Sequence, residues 1–254
     1  MIKAVLFDVG GTLHTVSNTG AMRTAFARRL KERLEIYGIH IGSQAEELGR
    51  LLHENAEAYK RWSEGSLREL PQPRIWNEYY LRQYEIGESR LAPIAEELSF
   101  RYDYERVCLT RRPNMVRTIE TLHGMGLALG IISNIISTSF VPHILKEYGI
   151  DRYMSCVVLS SEAGVRKPDR RIFDLALGAL GLEPGEAAYV GDTVSRDVLG
   201  AKNAGLALSI QIRSSSTAFR DAALGEDTPQ PDYLITAFDE IPRIVRAHGA
   251  KDNP

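Results

Sequence analysis

Five short apolar segments alternate with helical segments across the second half of the 254-residue chain. Each apolar segment is too brief for a helix, and its composition favours a buried strand. Strands that alternate with helices of about 10–15 residues predict a parallel sheet with helices on both faces. The predicted strands cover residues 127–133, 156–160, 187–191, 206–212 and 233–237, and the predicted helices cover residues 114–124, 138–148, 169–180, 196–204 and 239–247.

One further strand is predicted near the start of the chain, over the apolar residues 2–7. Residues 17–104 have a different texture, because Arg, Glu, Leu and Ala recur there at helical spacing and no strand pattern is present. We therefore predict a three-layer α/β core made of residues 1–16 and 105–254, with an inserted α-helical domain over residues 17–104. Residues 213–231, which contain several Ser, Gly and Pro, are predicted to be a surface loop.

The net charge and the cysteine content indicate which kinds of partner and environment this protein has. The 31 Lys and Arg against 33 Asp and Glu give a net charge of −2, so no basic field favours nucleic acid or an anionic membrane. No apolar run approaches the roughly 18 residues of a membrane helix. Cys108 and Cys156 lie far apart in apolar surroundings and are expected to be buried thiols. We expect a soluble, cytoplasmic protein, whose oligomeric state the sequence leaves open.

Polar residues follow several of the predicted strands. In an open parallel sheet the carboxyl ends of the strands lie at one edge, where ligands bind. Each residue alone has an ordinary explanation, such as a turn, a helix cap or a surface charge. Their shared position at the same sheet edge favours a functional site. The residues are Asp8, the pair Ser133-Asn134, the pair Ser160-Ser161, Asp192, and the nearby Lys167 and Asp197.

This set of side chains suits phosphoryl chemistry. Mg²⁺ prefers oxygen ligands and is commonly held by one or two carboxylates together with a substrate phosphate. Lys167 would neutralise phosphoryl oxygens, and Ser133 would donate a hydrogen bond to them. Gly10 and Gly11 would let the backbone after Asp8 curve round a phosphate without interference from a Cβ atom.

Four segments together resemble the motifs of the haloacid dehalogenase superfamily, whose members are mostly phosphatases. The segments are FDVGGTL with Asp8, IISN with Ser133, GVRKPD with Lys167 and GDTVSRD with Asp192 and Asp197. All four occur in order and at plausible spacing between residues 4 and 197. The resemblance implies a Rossmann-like core with an inserted helical cap.

The resemblance also implies roles for individual residues. Asp8 would be the nucleophile that forms an aspartyl-phosphate intermediate, and Ser133 and Lys167 would bind and orient the phosphoryl group of a small phosphorylated metabolite. The implied substrate-binding residues are Gly11, Thr12, Ser133, Asn134 and Lys167. The implied Mg²⁺ ligands are Asp8, the backbone carbonyl of Gly10, Asp192 and Asp197.

Gly10 departs from the family's pattern. In the phosphatases this position is a second Asp that protonates the leaving oxygen and then activates water. A positioned acid-base group contributes on the order of 10²–10⁴ in rate. Three replacements are conceivable: a proton from His14, which is otherwise an exposed linker histidine; a substrate with a good leaving group; or a Schiff base at Lys31 or Lys60, as in the family's phosphonate-cleaving members.

Two rival functions therefore stay open beside the phosphatase. The first is a regulatory protein that keeps a metal-phosphate pocket but turns over weakly or not at all. The second is a hydrolase of the same superfamily that cleaves a C–P or C–halogen bond. The retained GDTVSRD segment argues against halide chemistry, because the family's dehalogenases lack this acidic motif and need no metal.

Overall fold

The computed structural model describes residues 1–215, 217, 221, 224–225 and 228–249. Within this part of the chain the strands are β1 Ala4–Phe7, β2 His14–Ser17, β3 Cys108–Arg111, β4 Ala128–Ser133, β5 Met154–Leu159, β6 Ala187–Gly191, β7 Leu208–Ile212 and β8 Tyr233–Ile235. Six of these strands form a parallel sheet in the order β5-β4-β1-β6-β7-β8. The predicted α/β fold is confirmed, with the fully buried β1 between β4 and β6 at the centre of the sheet.

Helices connect the strands of the sheet and fill most of the segment before β3. The helices are α1 Gly20–Ile36, α2 Ala45–Ser66, α3 Gln72–Arg74, α4 Glu88–Leu91, α5 Ala95–Glu105, α6 Met115–Gly124, α7 Phe140–Glu147, α8 Ser160–Ala163, α9 Arg170–Leu180, α10 Leu199–Ala204 and α11 Ile241–Ala247. Short 3₁₀ turns lie at Arg82–Tyr84, Ala92–Ile94, Asp151–Tyr153, Pro184–Glu186 and Phe238–Glu240, and π-helical turns lie at Ile75–Tyr80 and Val194–Val198.

The two faces of the sheet are covered by different helices. Successive side chains of a strand point to opposite faces. Val5 and Phe7 of β1 accordingly pack into one hydrophobic cluster, with residues from α6, α7 and α11. Ala4 and Leu6 pack into a second cluster, with residues from α9 and α10. This arrangement buries β1 on both faces, which explains why its sequence is continuously apolar rather than alternating.

Residues 20–105, here called the helical region, pack around a third hydrophobic cluster of their own. Its centre is the fully buried Trp76, whose indole N–H donates to Ser99 Oγ at 2.9 Å. Ile136, which follows β4, is the residue of this cluster that comes from outside the helical region. The helical pattern of residues 17–104 is interrupted here, because the chain passes from α3 into the π-helical turn around Trp76.

A two-stranded antiparallel ribbon at the base of the helical region was not predicted. β2 pairs with β3, in register from His14 opposite Arg111 to Ser17 opposite Cys108. Both strands are short and largely polar, so neither carries the alternating apolar pattern that marks a half-buried strand. The ribbon forms where the chain leaves the sheet and returns to it.

Two expectations about side-chain burial are wrong, one for the two cysteines and one for His14. Cys108 lies on β3 and is exposed, and Cys156 on β5 is only half-buried; both are free thiols. His14 is not an exposed linker residue, since its side chain is buried and its Nδ1 lies 3.1 Å from Tyr148 Oη.

Two further expectations concern the surface of the protein. The loop predicted over residues 213–231 falls partly on residues outside the description, and of the described ones Thr217 and Asp221 contact the core. Among the helices of the described ranges, none combines the length and the apolar character required to cross a membrane.

Replacing His14 with Gln should reduce the loss of stability that acidification causes. Burial, followed by the nearby Arg112 charge, lowers the pKa of His14 from 6.5 to about 4. Between these values the unfolded chain binds more protons than the folded one, so the free energy of unfolding falls as the pH falls from 6.5 to 4, by on the order of 3 kcal/mol.

Denaturant titrations at pH 7 and pH 4 measure this contribution as the difference between wild type and variant. The matched control is His123→Gln, because His123 is exposed and its replacement should leave the acid sensitivity unchanged. An equal loss of stability in wild type and His14→Gln would contradict the assignment.

Candidate active site

The side chains that the sequence singled out converge at the carboxyl edge of the sheet, around the end of β1. Asp8 follows β1 directly, Ser133 ends β4, and Asp192 follows β6. Since β4 and β6 flank β1, these three residues are neighbours in space although they are far apart in sequence. Lys167 comes from the loop between α8 and α9, and Asp197 from the π-helical turn after β6. All five side chains are buried.

The Lys167 ammonium joins two of the carboxylates. Its Nζ lies 2.6 Å from Asp8 Oδ1 and 2.7 Å from Asp197 Oδ1, and it also contacts the Ile132 carbonyl at 3.0 Å and Tyr189 Oη at 2.7 Å. The side chain is only 2% exposed. A buried ammonium is tolerated only where it is paired and hydrogen-bonded, which this site provides.

Three carboxylates meet beside this single ammonium. Asp8, Asp192 and Asp197 each offer an oxygen within 4.8 Å of the others. Burial raises the pKa of Asp8, and burial with the Asp8 and Asp197 charges raises the pKa of Asp192 to about 7. Burial also acts on Asp197, but the Lys167 and Arg196 charges outweigh it and hold the pKa of Asp197 near 2. The cluster therefore places three carboxylates beside two cations, Lys167 and Arg196.

The partners of the individual oxygens distinguish Asp192 from Asp197. Asp192 Oδ2 accepts from Thr217, whereas Oδ1 is buried without a hydrogen-bond partner in the described part of the chain. Asp197 Oδ1 accepts from Lys167, and Oδ2 accepts from the Thr193 backbone N–H at 3.0 Å and its hydroxyl at 2.6 Å. An unpartnered buried carboxylate oxygen beside two other carboxylates is a donor set that fits a hard divalent cation.

The two glycines after Asp8 differ in their surroundings. Gly10 lines the cavity above Asp8, and a Cβ added there would meet nothing within 4 Å. Gly11 has a φ of +92°, and a Cβ there would lie 2.0 Å from Asp192 Oδ2. Glycine at position 11 thus allows both the left-handed backbone and the close approach of the Asp192 carboxylate.

Gly11 and Thr12 lie behind the cavity rather than on its wall. The Gly11 N–H donates to the His14 carbonyl at 2.8 Å, and the Thr12 N–H donates to the Val9 carbonyl at 3.2 Å. The Thr12 hydroxyl donates to Asp8 Oδ2 at 3.1 Å. Both residues therefore hold Asp8 and its turn in place and are not among the residues that line the cavity; their role in substrate binding stays a prediction.

Ser133 and Asn134 do line the cavity. Within the described chain the Ser133 hydroxyl has no hydrogen-bond partner, so it is available to a ligand. The Asn134 amide is engaged: its Nδ2 donates to the Lys167 carbonyl at 3.1 Å, and its Oδ1 accepts from the Lys167 N–H at 2.9 Å. Asn134 thus fixes the backbone of Lys167 to the end of β4.

A cavity of about 160 Å³ lies between the strand ends and the helical region. Its walls include residues that sequence reasoning missed, namely Arg196 from the π-helical turn and Asp103 and Arg106 from the end of α5. Arg196 precedes Asp197 within GDTVSRD, so the sequence could have indicated that Arg196 lies near the site. Asp103 and Arg106 lie in a stretch of mixed charge on a predicted helix, which gives no indication of a site.

Comparison with known proteins agrees with this geometry. Residues 2–205 match the family model of the haloacid dehalogenase-like hydrolases. The chain is 31% identical over 248 residues to the glyceraldehyde 3-phosphate phosphatase of Methanopyrus kandleri, covering 97% of this chain and 98% of that one.

Solved structures share the fold over nearly the whole chain. The phosphatase of the same family from Thermococcus onnurineus superimposes with a TM-score of 0.61 at 26% identity, and covers 99% of this chain and 100% of its own. The 2-haloacid dehalogenase of Pseudomonas syringae, at 21% identity and a TM-score of 0.66, covers 98% of this chain and 100% of its own, and is similar in fold.

Replacing Gly11 with Ala should destabilise the protein by about 1–3 kcal/mol, because alanine is strained at positive φ and its Cβ would displace the Asp192 carboxylate. Gly10→Ala is the matched control, since it adds the same methyl group one residue earlier into open space, and should change stability by less than about 0.5 kcal/mol. Thermal or urea unfolding of both variants measures the difference. Equal stability of the two variants would show that the close approach of Gly11 to Asp192 is not required.

Proposed function

The chain belongs to the haloacid dehalogenase-like hydrolases, and from that premise we propose that it hydrolyses the phosphate ester of a small metabolite with Mg²⁺, through a phosphorylated Asp8. The observation that carries this proposal is the setting of Asp8. On one side lies the Lys167 ammonium, 2.6 Å from Oδ1, and on the other lies the unpartnered carboxylate oxygen of Asp192.

The residues around Asp8 fit a metal ion. Asp8 and Asp192, with the backbone carbonyl of Gly10, would hold Mg²⁺, because three carboxylates meet there and Asp192 Oδ1 has no hydrogen-bond partner among the described residues. The oxygens of Asp197 are already engaged by Lys167 and Thr193, so Asp197 would contribute chiefly by positioning Lys167. When bound, the ion supplies positive charge that stabilises the phosphoryl oxygens and favours the ionised form of the carboxylates.

The protein's own groups account for the transfer. An oxygen of Asp8 attacks phosphorus, and the bond from phosphorus to the ester oxygen breaks. Lys167 and the Ser133 hydroxyl hold phosphoryl oxygens during this step, as charge-assisted and neutral hydrogen-bond donors. Water then attacks the phosphorylated Asp8, which releases inorganic phosphate and restores the carboxylate.

We further propose that the helical region, which corresponds to the inserted domain predicted over residues 17–104, acts as a cap. It would close the cavity and admit only a small substrate. The support is that Asp103, near the end of the helical region, lines the same 160 Å³ cavity as Asp8 and Ser133. A closed site of this size excludes water and large partners. Because relatives over nearly the full length are glyceraldehyde 3-phosphate phosphatases, that triose phosphate is the first substrate to test.

Gly10 favours a second candidate function. Without a carboxyl at this position, the protein would bind metal and phosphate but hydrolyse its substrate slowly, as a regulatory protein would. Alternatively, it would cleave a C–P or C–halogen bond. The packing of the GDTVSRD segment argues for the phosphatase. A Cβ on Gly191 would lie 2.3 Å from Asp197 Cβ, so the metal-site motif is retained with close steric complementarity.

Asp8→Asn should abolish phosphate release while the fold is retained. We would measure inorganic phosphate from glyceraldehyde 3-phosphate, other small phosphate esters and acyl phosphates, with and without Mg²⁺, and verify the fold by circular dichroism. The wild type should release phosphate only with metal, and the variant should stay at the background rate. Full activity of Asp8→Asn would remove Asp8 as nucleophile, and a silent wild type would favour the binding protein.

Asp192→Asn should weaken Mg²⁺ binding by on the order of 10- to 100-fold and should raise the melting temperature of the metal-free protein, because it removes one of three mutually repelling buried carboxylates. Titration calorimetry and thermal unfolding without metal measure the two effects. Asp151→Asn is the control, since Asp151 is exposed and precedes the amino end of β5, at the edge of the sheet opposite the site. Unchanged Mg²⁺ affinity in Asp192→Asn would exclude this residue as a ligand.

A further inference from the structure

The site proposed above has no proton donor on the turn after Asp8. Gly10 faces the cavity and leaves open space where the side chain of another residue would stand. Breaking an ester bond to an alkyl oxygen needs a proton at that oxygen, and the second step needs a base for the attacking water. Among the described residues that line this cavity, one carboxyl lies outside the three-carboxylate cluster, and none of them is a histidine.

Asp103 meets this description. It lies in the last turn of α5 and lines the same cavity as Asp8 and Gly10. The side chain is half-buried, as expected for a group that faces a cavity inside the protein. Its Oδ2 accepts a hydrogen bond from the Ser137 backbone N–H at 3.2 Å, which orients the carboxyl at the junction of the helical region and the sheet.

The surroundings of Asp103 keep both of its protonation states accessible near neutral pH. Burial is the largest influence and raises the pKa of Asp103 to about 7, against the opposing charge of Arg106 and the Ser137 hydrogen bond. A group with such a pKa can both give and take a proton at working pH. The charged groups that act on it are Arg106, Glu69 and Glu96. Arg196 and Lys167 line the same cavity.

We propose, on the basis of the function proposed above, that Asp103 is the general acid and base of this enzyme and replaces the carboxyl that residue 10 lacks. As Asp8 attacks phosphorus and the ester bond breaks, the Asp103 carboxyl gives its proton to the leaving oxygen. The Asp103 carboxylate then takes a proton from water, the water oxygen attacks phosphorus, and the bond from phosphorus to Asp8 breaks. Each turnover returns Asp103 to its protonated form.

The other candidate groups are less well placed. His14 does not line this cavity, contacts Tyr148 instead, and has a pKa lowered by burial to about 4. Lys31 donates to the Ser43 carbonyl within the helical region. Lys60 lines two neighbouring cavities but not the one that contains Asp8 and Gly10.

A purely structural role for Asp103 has a matched control in Glu96. Both residues lie on α5 and both accept hydrogen bonds from residues 137–139; Glu96 accepts from the Ser137 hydroxyl at 2.7 Å and from the Thr138 N–H at 3.0 Å. Glu96 does not line the cavity that contains Asp8. Glu96→Gln therefore weakens the same junction while it leaves the Asp103 carboxyl in place, and Asp103→Asn keeps an oxygen that can accept from Ser137.

The test compares an alkyl phosphate ester, which needs a protonated leaving group, with p-nitrophenyl phosphate, which does not. In Asp103→Asn with Mg²⁺, turnover of the alkyl ester should fall by about 10²–10⁴-fold. The first turnover of p-nitrophenyl phosphate should still release p-nitrophenol, after which phosphorylated protein accumulates because water attack is slow. Glu96→Gln should accumulate none, and Gly10→Asp added to Asp103→Asn should restore steady turnover.

The outcomes separate this inference from the function on which it rests. An active wild type whose Asp103→Asn variant turns over both substrates normally overturns the role of Asp103 alone. Equal losses on both substrates in Asp103→Asn and Glu96→Gln, without phosphorylated protein, also overturn it and indicate a structural contact. A wild type that hydrolyses none of the esters overturns the proposed function. If Gly10→Asp alone then creates activity, Asp103 does not replace the carboxyl that residue 10 lacks.

Discussion

The buried ammonium of Lys167 is the constraint on which the site depends. It lies between the carboxylates of Asp8 and Asp197 and is almost fully removed from solvent. Removing the ammonium would leave two buried carboxylates without the cation that pairs them, which costs several kcal/mol. The ends of β1 and β4 are therefore held together by charge as well as by the sheet, and Asn134 fixes the Lys167 backbone to the same strand end.

The same loop also anchors the helical region. Arg166, which precedes Lys167, forms a buried ion pair with Glu69, and Glu69 also accepts from Ser160 and from Tyr59 of α2. Backbone hydrogen bonds from Glu69 to Gly164 and from Arg166 to Leu67 continue this contact. Consecutive residues thus serve two purposes, since Arg166 positions the helical region and Lys167 positions Asp8. A change in the docking of the helical region would be transmitted to Lys167 through one peptide unit.

The sequence predicts the central parts of this structure well and its junctions poorly. β6 has the predicted bounds because Ala187–Gly191 is a continuous apolar run in a doubly covered sheet. The ribbon of β2 and β3 was missed because its stability comes from pairing two polar segments about a hundred residues apart. Asp8, Ser133, Lys167 and Asp192 were found because each follows a recognisable strand or motif, whereas Asp103 becomes part of the site only when α5 docks on the sheet, which no local pattern encodes.

Placing the acid on α5 rather than beside Asp8 changes what controls the reaction. An acid at residue 10 would sit on the same turn as the nucleophile and would be present whatever the helical region does. Asp103 instead reaches the cavity because the end of α5 is held against the segment after β4 by Ser137. Proton transfer then requires the docked arrangement, so the phosphorylated Asp8 would be hydrolysed only while the helical region covers it. In this arrangement the closure of the site and its acid-base chemistry depend on the same contact.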